Sequence, residues 1–245
     1  MPGTPRYPPL LHITIDGIQQ GLDAKTFSSV DLANACIARI HEVESTLNAV
    51  VEINPDALSI AEQLDDEREK HGRRGPLHGV PVLLKDNTAT TDRMKTTAGS
   101  LQLLHSKPSR EATVVERLRK AGAIILGKTN LSEWNNLRSK NSSNGWSARG
   151  GQTYAAYHDR QDPSGSSSGS AVGVAVGLAP LAIGTEVGIS FQLIKSHIVD
   201  RLDRLMAASC APLTRTMLLV SNLLSDSCPV MVLFLAHFAK IPWVL

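Results

Sequence analysis

Residues 112–130, ATVVERLRKAGAIILGKTN, set a helix against a strand with one glycine at the join. ATVVERLRKA (112–121) places Val114, Val115 and Leu118 at helical spacing and charges on the other side, which predicts an amphipathic helix. Gly122 stops it, and AIIL (123–126) is a short apolar run of the kind that forms a buried strand. Upstream, VPVLL (80–84) is a second such run, and it ends directly in Lys85-Asp86. Strand, helix and strand in alternation imply an α/β fold.

The pattern extends in both directions. Residues 28–52 predict an amphipathic helix capped by Ser28 or Ser29, with Leu32, Cys36, Ile40, Val43 and Leu47 in one stripe. A second helix is expected from Asn54-Pro55, with proline at the first helical position, to near Gly72. RRGPLHG then reads as a loop. From Ser139 to Ser170 the chain is rich in Gly, Ser and Asn, long for a structureless loop, and such loops are usually functional or disordered. It runs straight into AVGVAVGLAPLAIGT, which reads as a small-residue helix followed by a strand. No internal repeat is visible.

Composition narrows the class. The chain has 245 residues, 42% of them hydrophobic and 20% charged, enough to bury a core in one large or two small domains. A net charge of +2 gives no argument for nucleic acid. Cys36, Cys210 and Cys228 have neither metal spacing nor the pattern of a disulfide framework. The opening MPGTPRYPPLLHITIDG lacks the charged-then-apolar pattern of a signal peptide, so a cytoplasmic protein is expected. Residues 169–189 carry a single charge, but Pro180 and several glycines interrupt them. A buried helix, turn and strand is expected there rather than a membrane span.

Two features suggest chemistry. Lys85 closes an apolar strand. It is either a surface lysine just past the strand or a lysine held in a desolvated pocket, where burial disfavours the ammonium and frees the amine to act as a base. Pro163-Ser-Gly-Ser-Ser-Ser-Gly-Ser170 resembles a flexible linker, yet it leads into core. A tight turn presenting hydroxyls and backbone N–H groups at a helix start fits better. Gly122–Thr129 matches the pattern G-x-x-x-x-G-K-[ST] formally, but its middle residues form a strand and a helix precedes it, so no phosphate loop is expected. His78 is expected to be a structural loop histidine. Asn130-Leu-Ser and Asn141-Ser-Ser are formal glycosylation sequons only.

Taken together, RGPLHGVPVLLKDN, MKTTAGS, ATVVERLRKAGAIILGKTNLSEW, GWSARGGQT and PSGSSSGSAVGVAVGLAPLAIGTE resemble the amidase signature family, from about residue 28 to Glu186. The resemblance implies an α/β/α fold with a mixed central sheet, incomplete in this chain. It implies a Ser–cis-Ser–Lys triad that hydrolyses amides and uses no cofactor or metal. Lys85 matches the base, and Ser166 matches the bridging serine held by a cis peptide. Ser167, Ser168 and Gly169 match the residues that support the turn and the oxyanion. The implied partner is a small-molecule amide, with no nucleic acid and no membrane; the oligomeric state is left open.

The resemblance breaks after Glu186. Ser190 falls at the family's count for the nucleophile, but Gly188-Ile189 stands where the family has Asp-Gly, and nothing after Ser190 is similar. The tail fits another reading frame. When the last base of each codon is joined to the first two of the next, Leu205–Val220 can be read as D-G-S-I-V-C-P-A-N-K-N-N-V-V-G, which resembles the family's continuation. Val187 codons begin with GT, and Asp203-Arg204 can supply a terminal AG. An insert of about 53 nucleotides, the length of a short intron, would shift the frame in this way and lies outside fold reasoning. The expectation is therefore an N-terminal arm (1–27), the N-terminal part of an amidase domain (28–186), and a non-family tail (187–245) from a retained intron plus frameshift. A chain so built is expected to be inactive. The alternatives are a non-catalytic fragment or the amidase subunit of an amidotransferase.

Overall fold

The apolar stripe at residues 32–47 organises the first layer. The computed structural model describes residues 7, 9–139, 141–186, 217–220 and 230–235, the last two segments as backbone only. Helix α1 (Ile15–Asp23) begins at Thr14, whose hydroxyl accepts the Gly17 N–H at 3.0 Å, and it buries Ile18 and Leu22. Helix α2 (Ser29–Leu47) begins in a capping box: the Ser28 hydroxyl accepts the Asp31 N–H, and the Asp31 carboxylate accepts the Ser28 N–H. Leu32, Cys36 and Ile40 are fully buried, and Val43 and Leu47 pack at the margin of the same cluster.

Helix α2 is shorter than the pattern predicted. Asn48 turns left-handed (φ 52°) and ends it, and strand β1 (Val50–Ile53) follows. Asparagine tolerates that conformation because its short polar side chain can bond locally. The apolar residues after it continue the helical stripe by coincidence and serve instead as an edge strand. Helix α3 (Ala57–His71) likewise starts later than Pro55. The Asn54 side chain turns the chain, accepting from the Asp56 N–H at 3.0 Å and donating to the Ile125 carbonyl at 2.8 Å.

Strands β2 (Pro81–Lys85) and β3 (Ile124–Thr129) are buried along their whole length. Both faces are therefore covered, which explains their near-continuous apolar reading. Helix α4 (Thr113–Lys120) precedes β3 and packs Val115 and Leu118 inward. A two-stranded ribbon, β4 (Trp146–Ser147) and β5 (Gly151–Gln152), lies within the Gly/Ser/Asn-rich stretch. Helix α5 (Ser168–Ala175) and strand β6 (Leu181–Glu186) come next, then β7 (Met217–Val220) and β8 (Val230–Leu235).

The sheet runs β1-β3-β2-β6-β8-β7. The central β3, β2 and β6 are parallel; β1, β8 and β7 each pair antiparallel with a neighbour, so the sheet is mixed. One face packs on α1, α2, α3 and α5 through Leu83, Ile124, Leu126 and Ala182. The other packs on α4 through Val82, Leu84, Ile125, Leu181 and Ile183. Helices on both faces give the three-layer α/β architecture that the sequence implied. Among the described residues no helix is long and apolar enough to cross a membrane.

A bulge in β3 sets which side chains share a face. Val82 pairs with Ile125, but Leu83 pairs with Gly127, so Leu126 is the extra residue. From there Lys128 lies level with Leu84, and Thr129 with Lys85. Gly127 is required at this point, because a Cβ there would come within 2.5 Å of the Glu52 carbonyl oxygen on β1.

Candidate active site

Lys85 is the last residue of β2 and is fully buried. Of the two sequence readings, the desolvated lysine is therefore the one the fold adopts. Its Nζ donates to Ser166 Oγ at 2.8 Å and to the Thr185 carbonyl at 3.4 Å. Ser166 comes from the turn before α5, and the Gly165–Ser166 peptide is cis. The Ser166 carbonyl accepts the Ser132 N–H at 3.0 Å, which fixes the turn against the loop that follows β3.

The rest of the serine run holds this turn. Ser167 Oγ donates to the Thr185 carbonyl at 3.3 Å and accepts the Thr185 N–H at 3.2 Å, joining the turn to β6. Ser168 is buried, and its hydroxyl donates back to the Ser164 carbonyl. The Gly169 N–H donates to the Asn130 carbonyl at 3.1 Å. A Cβ on Gly169 would lie 2.3 Å from the Ala49 carbonyl oxygen, so only glycine allows this approach. The N–H of Gly169 is thus engaged within the fold and supports the turn. Ser190 lies outside the described residues.

Several site residues gave no signal in the sequence. Asn87 donates from Nδ2 to Thr185 Oγ1 at 2.9 Å, and its buried Oδ1 has no protein partner. Ser166 Oγ also lies 3.5 Å from Asn135 Oδ1. Asn130 is buried and ties the 147–153 segment to the end of β3: Nδ2 donates to the Gly151 carbonyl at 3.0 Å and to Thr153 Oγ1 at 2.9 Å, while Oδ1 accepts from Ser147 Oγ at 2.7 Å. Its place directly after a buried strand was the one available hint.

Behind the strand end lies a buried group of charges. Asp86 bonds Arg149, and Arg149 bonds Glu52. Burial raises the Asp86 carboxyl above its ordinary value, opposed chiefly by Arg149. Burial pushes Lys128 down to about 8, opposed chiefly by Asp86. His78 lies elsewhere, fully buried, with Nε2 2.8 Å from the Leu64 carbonyl and Nδ1 accepting the Arg74 N–H at 3.2 Å. It ties α3 to the loop before β2, the structural part expected of it. Ile124, Ile125 and Leu126 are fully buried strand residues, so Gly122–Thr129 forms no phosphate loop. Among the described residues no His, Cys, Asp or Glu group could hold a metal ion.

A buried lysine amine hydrogen-bonded to a serine hydroxyl can accept and pass on a proton. Residues 31–193 match the family described as Amidase. A protein named as an amidase from Arthroderma benhamiae is 48% identical, the match covering 78% of this chain and 36% of that protein. A glutamyl-tRNA(Gln) amidotransferase subunit from Chloroflexus aurantiacus is 39% identical over 75% of this chain and 37% of its own length. The crystal structure of the native peptide amidase from Stenotrophomonas maltophilia superposes with a TM-score of 0.70 at 50% identity, covering 73% of this chain and 37% of that one. The chain thus spans little more than a third of the length of these relatives.

Proposed function

The chain belongs to the amidase family, and on that premise we propose that Lys85 and Ser166 are the base and bridge of an amide hydrolase acting on a small carboxamide. The observation that carries this reading is the 2.8 Å contact between Ser166 Oγ and the amine of a fully buried lysine. In the reaction the neutral Lys85 amine takes the Ser166 proton while Ser166 takes that of a nucleophilic serine. The nucleophile's oxygen bonds to the amide carbonyl carbon, and the charge develops on the carbonyl oxygen. Return of the proton to nitrogen breaks the C–N bond and frees the amine. Water then repeats the attack on the acyl-enzyme, and no cofactor takes part.

The nucleophile is the missing member. Ser190 stands at the family's count without the family's neighbours, and we take residues 187–245 as a tail made by a retained intron and the frameshift that follows it, which leaves this chain inactive. A serine-reactive fluorophosphonate tests both parts. No labelling is expected of the chain as it stands; labelling that disappears in Ser190→Ala and Lys85→Met would make Ser190 the nucleophile and overturn the inactivity. Genomic and transcript sequence across codons 186–205 checks the frame. A chain rebuilt to carry Asp-Gly-Ser in frame is expected to label, and to stop labelling in Lys85→Met. If the rebuilt chain folds but stays unlabelled, the relay is wrong. A free-standing hydrolase is preferred to an amidotransferase subunit because the relative named as an amidase is more similar, at 48% against 39% identity.

A further inference from the structure

Lys85 and Asp86 are neighbours on opposite faces of one strand end, and the Asp86 face is organised around charge. The Asp86 carboxylate accepts from Arg149 Nη1 at 2.7 Å, from the Gly99 N–H at 3.1 Å, from the Thr97 N–H at 3.4 Å and from the Thr97 hydroxyl. Its backbone is also engaged: the N–H donates to the Thr129 carbonyl at 3.1 Å, and the carbonyl accepts from the N–H groups of Thr97 and Ala98. Arg149 donates its other nitrogen to Glu52 on β1, and its own N–H to the Gly99 carbonyl at 2.9 Å. Lys128 on β3 faces the same side, donating to the Thr88 carbonyl and to Thr96 Oγ1. Asp86 has 1% of its side chain exposed and Arg149 9%. The Asp86 and Glu52 carboxylates and the Arg149 and Lys128 cations therefore form a cluster largely shielded from water.

We infer that the buried Asp86–Arg149 pair is a positioning device for Lys85, clamping its strand end to the 97–99 and 145–150 loops and balancing the charge behind its amine. The inference rests on Lys85 being the base of the relay. A surface ion pair would add little here, but a buried one is felt over several ångströms. The charged groups facing this side are Glu52 from β1, Asp86 just after β2, Lys128 from β3, Arg149 and Asp92 from loops, and Arg119 from α4, which pairs with Asp92 at 2.6 Å. If the cluster acts on Lys85 through charge, removing its two signs must move Lys85 in opposite directions. If it merely holds the fold, both losses loosen the site in the same way.

The test is the titration of the Lys85 amine in the full chain, read from the Nζ and Cε resonances of isotopically labelled lysine and assigned with Lys85→Met. Asp86→Asn is expected to lower the Lys85 midpoint and Arg149→Met to raise it, each by about half a pH unit or more. Midpoints that stay put, or move the same way in both folded variants, overturn the proposal. Should either variant lose its near-ultraviolet circular dichroism, Glu52→Gln (lowering) and Lys128→Met (raising) carry the same rule of opposite signs. The readout needs no turnover, so a rebuilt chain that folds yet stays unlabelled defeats the functional reading, whereas only the direction of these two shifts decides this one.

Discussion

Cys36 shows what burial does to a single reactive group. It has no exposed surface, and desolvation pushes its thiol up to about 12. Native chain treated with iodoacetamide at pH 8 is expected to leave Cys36 unmodified, whereas chain in guanidinium is modified rapidly; peptide mass spectrometry reads the difference. Lys128 is the basic counterpart. Burial lowers it from 10.5 to about 8. Between those values the unfolded chain holds the extra proton, so stability rises with pH across that window, and below about 8 the cost of the buried ammonium is complete. Asp86 works in acid in the opposite sense: its raised value means the folded chain holds a proton above 3.8, and stability falls as pH climbs through that range. Denaturant unfolding at pH 8 and pH 10 is expected to show a gain on the order of 2 kcal/mol for the native sequence and little for Lys128→Met. At this scale the sequence disclosed Lys85 and the serine run because each sits at the edge of an apolar segment. It disclosed nothing of Arg149, whose partners Glu52 and Asp86 lie 97 and 63 residues away.

Elements with one period and one face were readable, and elements defined by a partner were not. Helix α4 and strands β2 and β3 followed from spacing alone. The end of α2 did not, because Asn48 leaves the helix while the residues after it stay apolar, and β1 exists only because β3 offers it a ladder. The Gly/Ser/Asn-rich stretch is ordered for a similar reason. Asn130 bonds Gly151, Thr153 and Ser147 and so draws the β4–β5 ribbon onto the end of β3. Asn130→Ala is expected to cost about 2–3 kcal/mol in urea unfolding, since several buried groups lose a partner at once. Amide hydrogen exchange is expected to quicken most over residues 145–153; uniform exchange across the chain would assign Asn130 a purely global part.

For the whole molecule, the parallel core β3-β2-β6 is closed on one side by β1 and on the other by segments that follow residue 186. Strand β8 pairs with β6 over its full length, from Leu181↔Leu235 to Glu186↔Val230. A chain ended at Glu186 would leave that edge open, and open apolar edges recruit other chains. Light scattering is expected to show concentration-dependent association of residues 1–186 beyond that of the full chain; equal behaviour would mean that β8 contributes no cover. The fold class was legible because strand, helix and strand recur locally. The outer half of the sheet was not, because its pairing depends on residues without any family pattern. The extra residue at Leu126 has a further consequence. Without it, Lys128 would fall level with Lys85 on the adjacent strand, two amines abreast at about 4.8 Å, the spacing of neighbouring strands. Like charges so close cannot both persist out of water, and the pair would compete for the same proton. A single inserted residue thus sets Lys85 and Lys128 on opposite faces of the sheet. A change of one residue in the length of β3 would harm this centre more than most substitutions within it.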